Sequence, residues 1–293
     1  MRNALFICLL FFTVQVSAQT VKAKRVPLKL SLEHQGKTPL TQLLTEKEWE
    51  ELFPNRFGCG AKPLKPDTSD FYSFKAFVTA ARLFPDFLSG DEVTQKRELA
   101  AFLANIAQET SGGWATAPGG YFKWGLYYVT ELQTKTKSKY VDASDKKYPP
   151  VKGKSYIGRG PKQLSWNYNY GQFSEAWYGS KDSLLRHPDR LASDPVLSFA
   201  SAIWFWMTPQ DPKPSCHNIM VGNWKPTAHD IKEGRVPGFG ATVNVINGGI
   251  ECGTGKALEK TAYRYQYYQY FCKYFHVLPG ENIDCNNQRP FDQ

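Results

Sequence analysis

The 293 residues carry 36 Lys and Arg against 27 Asp and Glu, a formal charge of +9, with 42% hydrophobic and 15% aromatic residues. That is enough apolar material for one large core. The lysines are spread over 21–65, 135–154 and 225–260 instead of forming a basic block interleaved with stacking aromatics, so no nucleic acid partner is expected.

Residues 1–18, MRNALFICLLFFTVQVSA, have an early Arg2, an apolar run from Leu5 to Val14 and small residues at Ser17 and Ala18. This is the pattern of a secretory signal peptide. A membrane-spanning helix needs about 20 apolar residues, and no later segment supplies them. The mature chain is therefore expected to be secreted and extracellular, with no membrane partner and as a monomer. Removing the leader takes away Arg2 and Cys8, lowering the charge from +9 to +8 and leaving Cys59, Cys216, Cys252, Cys272 and Cys285. An odd number in an oxidising compartment points to one or two disulfides plus a buried thiol or an intermolecular partner.

Residues 19–40 are polar and basic and read as an extension, and 41–293 as one domain. LTEKEWEELF predicts a first helix with an acidic first turn, ended by PNRFGCG. Helical periodicity follows over 71–84 and 95–109, the first of these closed by Pro85 and the second by Gly112 and Gly113. The stretch 118–164 is rich in Gly, Lys and Tyr with weak periodicity, and predicts loops lining something. Helices are predicted again over 165–178, over 196–207, where Trp204 and Trp206 read as core, and over about 257–275. A long Pro/Gly section occupies 208–240. The fold class is mainly α, one domain with long loops.

The five histidines show no i, i+4 pair or Cys/His cluster, so no metal is expected, and no phosphate or dinucleotide loop calls for a cofactor. Carboxylates remain. Phe102, Ile106 and Glu109 fall on one helical stripe, which puts Glu109 on an apolar face and in the last turn, where the helix dipole disfavours an anion. Both effects favour the protonated form that general acid catalysis needs. Glu131 and Glu251 stand out beside it. Each also has a structural reading: a salt bridge for Glu109, a solvated loop for Glu131, a turn tied to an arginine for Glu251.

QETSGGWATAPGG at 108–120, YIGRGPKQLSWNYNYG at 156–171, AIWFWMTPQDPKPS at 202–215, GRVPGFG at 234–240, NVINGGIECG at 244–253 and DCNNQRPF at 284–291 occur in that order. The chain from about Leu43 onward resembles the glycoside hydrolase family 19 chitinases, the plant-type class. The resemblance implies a lysozyme-like, two-lobed α+β fold around a long substrate cleft, acting on chitin and chitooligosaccharides by endo-cleavage of β-1,4 bonds with inversion. It places Glu109 as general acid, Glu131 as general base and Ser165 as the hydroxyl that helps hold the attacking water. Gln163, Tyr168 and Asn169 resemble sugar-binding groups, and Asn247 the asparagine of an INGG turn that holds the acetamide. Glu251 and Arg264 resemble a charged pair behind the base, and Arg159 and Arg235 further arginines of the cleft.

Some positions depart from the family. Gln108 stands where relatives have His, and Tyr148 where many have a sugar-stacking tryptophan; Trp114, Trp124 and Trp166 are further stacking candidates. The resemblance implies a Cys252–Cys285 disulfide. Cys59 resembles half of a bridge whose partner position here is Tyr127, so that bridge is expected to be missing, and a Cys59–Cys216 pairing stays open. The alternatives to a chitinase are a non-catalytic wall protein on the same scaffold and a peptidoglycan hydrolase.

Overall fold

A short helix ends ahead of the first predicted helix, over 44–53, which starts from Thr45. Its side chain accepts from Glu48 N while the Glu48 carboxylate accepts from Thr45 N, a capping box that starts a new helix. In the computed structural model, which describes residues 37–57, 70–132 and 140–291, α1 is therefore Leu40–Leu43 and α2 Glu46–Leu52. The signal peptide, most of the basic extension and Cys59 lie outside the described residues.

The next helices follow the periodicity. α3 is Phe74–Ala81 and α4 is Glu92–Glu109, begun by Asp91, whose carboxylate accepts from Thr94 N at 2.8 Å. α5 is Asn167–Tyr178, α6 Asp182–Arg186 and α7 Pro195–Met207. The last of these is apolar all round and is buried on almost every side, with Trp204 and Trp206 in the core as expected. α4 lies along α11, Glu259–Tyr274, and α3 lies along α7. An aromatic chain joins these layers: Trp49 to Phe77 at 5.3 Å, Phe77 stacked on Phe102 at 5.7 Å, and Phe102 edge-on to Trp206 at 5.6 Å. The core also holds one carboxylate. Glu98 is fully buried and accepts from Trp206 Nε1 at 2.8 Å and Leu88 N at 3.1 Å, with His217 Nδ1 2.7 Å away. These partners make its burial tolerable.

The Pro/Gly section is not all loop. It contains two short helices, α8 at Cys216–Met220 and α9 at Ala228–Lys232, each started by a capping hydroxyl on Ser215 or Thr227. The larger departure is α10, Phe239–Glu251, which runs through the expected INGG turn. Packing overrides local propensity here. Gly240 lies so close to the strand of chain at 284 that an added Cβ would meet Asp284 O at 1.9 Å. The turn character survives only as a kink, with Asn247 at φ −147° and ψ 28°. Of the expected β component, the described residues hold three isolated antiparallel bridges: Thr130 with Arg159, Arg159 with Leu164 and Gln210 with Lys213.

Cys252 and Cys285 are disulfide-bonded. Among the described residues Cys216 and Cys272 carry no bridge and are buried, and burial pushes both thiols up to about 12; the Cys59–Cys216 pairing rests on Cys59, outside the described residues. Among the described residues no helix is long and apolar enough to cross a membrane.

Candidate active site

Glu109 is the last residue of α4, and the next residue fastens the chain beyond it. Thr110 Oγ1 donates to Ile106 O at 2.6 Å and accepts from Leu126 N at 2.7 Å, while Thr110 O accepts from Tyr128 N at 2.8 Å. Gly113 makes the turn at φ +65°, where a Cβ would meet Tyr121 O at 2.2 Å. The segment 126–131 is thus tied to the end of α4 along one edge. Its other edge pairs with the loop before α5: Glu131 N donates to Gly158 O and Gly160 N to Val129 O, both at 2.8 Å. The two carboxylates are fixed relative to each other through backbone, not through flexible side chains. Both line one open cleft of about 590 Å³, which also takes in Gln108, Gln163, Ser165, Trp166, Asn247 and Glu251.

The neighbours of Glu109 are cationic, which corrects the apolar-stripe expectation. Arg264 Nη2 donates to Glu109 Oε1 at 2.8 Å, and Lys162 Nζ lies 3.9 Å from the same oxygen. Asn105, one turn earlier on α4, accepts from Arg264 Nη1 at 3.0 Å. From α10, Glu251 accepts from Arg264 Nη2 at 2.6 Å and Nε at 3.1 Å, and Asn247 Nδ2 donates to Glu251 Oε1 at 2.8 Å. Burial alone would lower the Arg264 guanidinium and raise the Glu251 carboxyl; their mutual attraction, with Glu109 acting on Arg264, reverses both shifts. The Glu251–Arg264 pair therefore stands behind the acid candidate and not behind the base, contrary to the expectation.

Glu131 is held differently. Tyr140 Oη donates to Glu131 Oε1 at 2.7 Å, and Gly158 N donates to Oε2 at 3.1 Å. Burial and this contact push the Tyr140 phenol up to about 12, so it remains a donor throughout the working range. Tyr140 is itself placed by α5, because Asn167 Nδ2 donates to Asp142 O at 3.0 Å and to Tyr148 O at 2.8 Å, pinning the loop 140–150. Tyr140→Phe is expected to lower kcat about tenfold or more with little change in KM, since a hydrogen bond to a charged group contributes about 1.5–3 kcal/mol. Losing a donor to the carboxylate should also move the acid limb of the pH–rate profile upward, which steady-state kinetics across pH will check.

The remaining predicted residues divide. Ser165, Gln163, Tyr168, Asn169 and Asn247 line a second stretch of cleft, continuous with the first through Gln163, Ser165 and Asn247. Gln163 and Trp166 adopt φ of +50° and +74°, rare for residues with side chains, and both face the cleft. Asn169 Oδ1, Gln108 Oε1 and Gln210 Nε2 are buried without protein partners. Trp114 is 45% exposed and sits beside Trp124, ring centres 4.9 Å apart, at the other end of the cleft. Tyr148 is not a stacking platform: it is 4% exposed, its ring lies against Gly171 and its hydroxyl donates to Glu175 at 2.8 Å. A tyrosine satisfies its polar end inside the fold, which leaves no face for a sugar. Arg159 and Arg235 also serve the fold, binding Asp189 at 2.6 Å and Asp230 at 3.0 Å.

The sequence pattern does not single out Tyr140, Asn105 or Lys162. Asn105 alone leaves a signal, one turn before Glu109 on the same face. Tyr140 ends a lysine-rich stretch without periodicity, and Lys162 reads as a surface residue.

The profile of the family described as Chitinase class I matches residues 49–285. The chain belongs to glycoside hydrolase family 19. It is a glycosidase of the chitinase class. An endochitinase of Brassica napus is 51% identical over 222 residues, covering 75% of this chain and 67% of its own length. A protein of Hevea brasiliensis named inactive chitinase-like protein 1 is 47% identical over 259 residues, covering 87% and 78%. Among solved structures, chitinase C from Streptomyces griseus superposes with a TM-score of 0.64 at 29% identity, over 83% of this chain and 97% of that one. A class IV family 19 chitinase from Zea mays gives 0.62 at 30% identity, over 85% and 100%. The mainly helical, lysozyme-like fold expected of family 19 is the fold observed.

Proposed function

We propose that this family 19 chitinase is a secreted, monomeric endochitinase that cleaves β-1,4-linked N-acetylglucosamine polymers by a single inverting displacement. The observation that carries the reading is the pair of differently held carboxylates in one open cleft: Glu109 on Arg264, Glu131 on Tyr140 and a backbone amide. Similarity alone would not suffice, given the name of the Hevea relative. Glu109 protonates the glycosidic oxygen, while Glu131 takes a proton from a water that attacks the anomeric carbon from the opposite face. The C–O bond to the leaving sugar breaks as the bond to water forms, and Ser165, which lines the same cleft, holds that water. Gln108 and Asn169 line the cleft, and each holds a buried amide oxygen without a protein partner. The buried disulfide and the leader pattern support export.

Reducing-sugar release from colloidal chitin against bacterial walls tests the substrate: release from chitin is expected, release from walls alone would make the enzyme a peptidoglycan hydrolase, and release from neither a binding protein. The anomer first released tests the mechanism. A β-linked oligomer should yield the α-anomer before mutarotation, read by NMR; a predominance of β product would require two displacements.

A further inference from the structure

Loop residue Lys162 occupies a place where an ammonium is costly. The side chain is 10% exposed, its Nζ lies 3.9 Å from Glu109 Oε1, and 4.8 Å away is the centre of the Phe205 ring. Burial pushes this lysine below its ordinary range, and the Glu109 carboxylate pulls it back up. Packing against Phe205 would be served equally by an unbranched apolar side chain, and a buried ion pair is weak evidence of stabilisation. The amine is therefore better accounted for by the carboxylate it faces than by the core it fills.

We propose that Lys162 is a positioning residue for the acid: together with Arg264 it flanks Glu109 with two cations, favouring the carboxylate that remains once the proton has gone to the leaving oxygen. This rests on Glu109 being the general acid. A cation about 4 Å from a carboxylate favours its charged form. The proton is thus given up more readily at the moment of bond cleavage, which raises the plateau rate. Removing that cation is therefore expected to alter both the plateau rate and the alkaline side of the activity range.

Other charged groups act on the same acid. Glu251 acts through Arg264, and Glu131, Glu259 and Lys260 line the same cleft. Arg264 opposes the charge on Lys162 and Glu251 supports it, while the buried Cys216 thiol of α8 stays neutral. All of these stay in place when Lys162 alone is changed, so the difference between parent and variant isolates the ammonium. Gln108, beside the acid, carries no charge.

The test compares the parent with Lys162→Met, of similar length without charge, Lys162→Gln as a second neutral variant should the first not fold, and Lys162→Arg, which keeps the charge. Two readouts are taken: the pH dependence of kcat and kcat/KM on a chitooligosaccharide, and the NMR titration of the ¹³C-labelled Glu109 carboxyl in the free protein. In a folded neutral variant both the alkaline limb and the carboxyl titration should move up by about one pH unit, while the plateau kcat falls severalfold and Lys162→Arg keeps the parent profile. An unchanged Glu109 titration in a folded neutral variant overturns the pairing, whether or not the enzyme turns over. An alkaline limb that stays put while the titration moves overturns the catalytic role. A parent inactive on every chitooligosaccharide would overturn the acid assignment on which that role rests, while the titration would still decide the ion pair.

Discussion

Glu109→Gln is expected to reduce kcat on chitooligosaccharides by about 10³-fold, within the range that general acid catalysis contributes, while leaving oligosaccharide binding and the fold in place. Glutamine keeps the size of the side chain and an acceptor oxygen for Arg264, which also retains Glu251 at 2.6 Å. What it lacks is a proton to give. A variant within tenfold of the parent would remove Glu109 from the mechanism. Isothermal titration with an oligosaccharide makes the test specific, because an unfolded or collapsed cleft would lose binding along with turnover. Glu131→Gln should be similarly impaired for a different chemical reason: its failure would reflect a water left unactivated, not a leaving group left unprotonated.

The second large effect is expected at Arg264. Replacing it with Met should destabilise the protein by about 3–5 kcal/mol, the usual cost of breaking a buried charge pair from one side, and abolish activity. The guanidinium is 2% exposed and serves three acceptors, Glu109, Glu251 and Asn105. Without it two carboxylates face each other with Lys162 as the nearest cation to Glu109. Chemical denaturation should show the loss, and a second variant traces it to its source. Replacing Glu251 as well, by Met, removes the stranded charge and should recover much of the stability, but activity should stay lost because Glu109 is still unheld. Recovery of both together would mean that Arg264 acts only through the fold.

α4 was legible because its residues keep to the helical period over several turns, α7 because its apolar run is longer than a strand needs, and α11 because sixteen residues pass without Gly or Pro. α10 was not. GATVNVINGGI combines glycines with β-branched residues, both weak helix formers, and it is helical where it packs against α8 and the tail at 284. For the site, position in the chain was readable and environment was not. Glu109 does end its helix before a glycine turn, yet the group that governs it, Arg264, lies 155 residues further on. An i, i+4 stripe says which residues share a face but not what the face meets. Tyr148 shows the same limit from the other side: an aromatic at a stacking position, turned inward because Glu175 was there to take its hydroxyl.

The tail beyond Cys285 buries the side chains of Gln288 and Phe291, and most of its remaining hold on α10 and its neighbours is through main-chain atoms. Gly253 N donates to Cys285 O at 3.1 Å, Gly255 N to Asn286 O at 2.9 Å, and Arg289 N to Glu233 O at 2.9 Å. Asn244 Nδ2 reaches Arg289 O at 3.0 Å, and Arg235 Nη1 reaches Pro290 O at 3.1 Å. Contacts of this kind read how many residues have gone by, not which ones they are. Divergence in this stretch should accordingly tolerate exchange of exposed letters such as Asn287 and Arg289 but not a change of count. A single deletion between Cys285 and Pro290 shifts every later carbonyl out of register, and the brace it loosens is the one under Asn247 and Glu251.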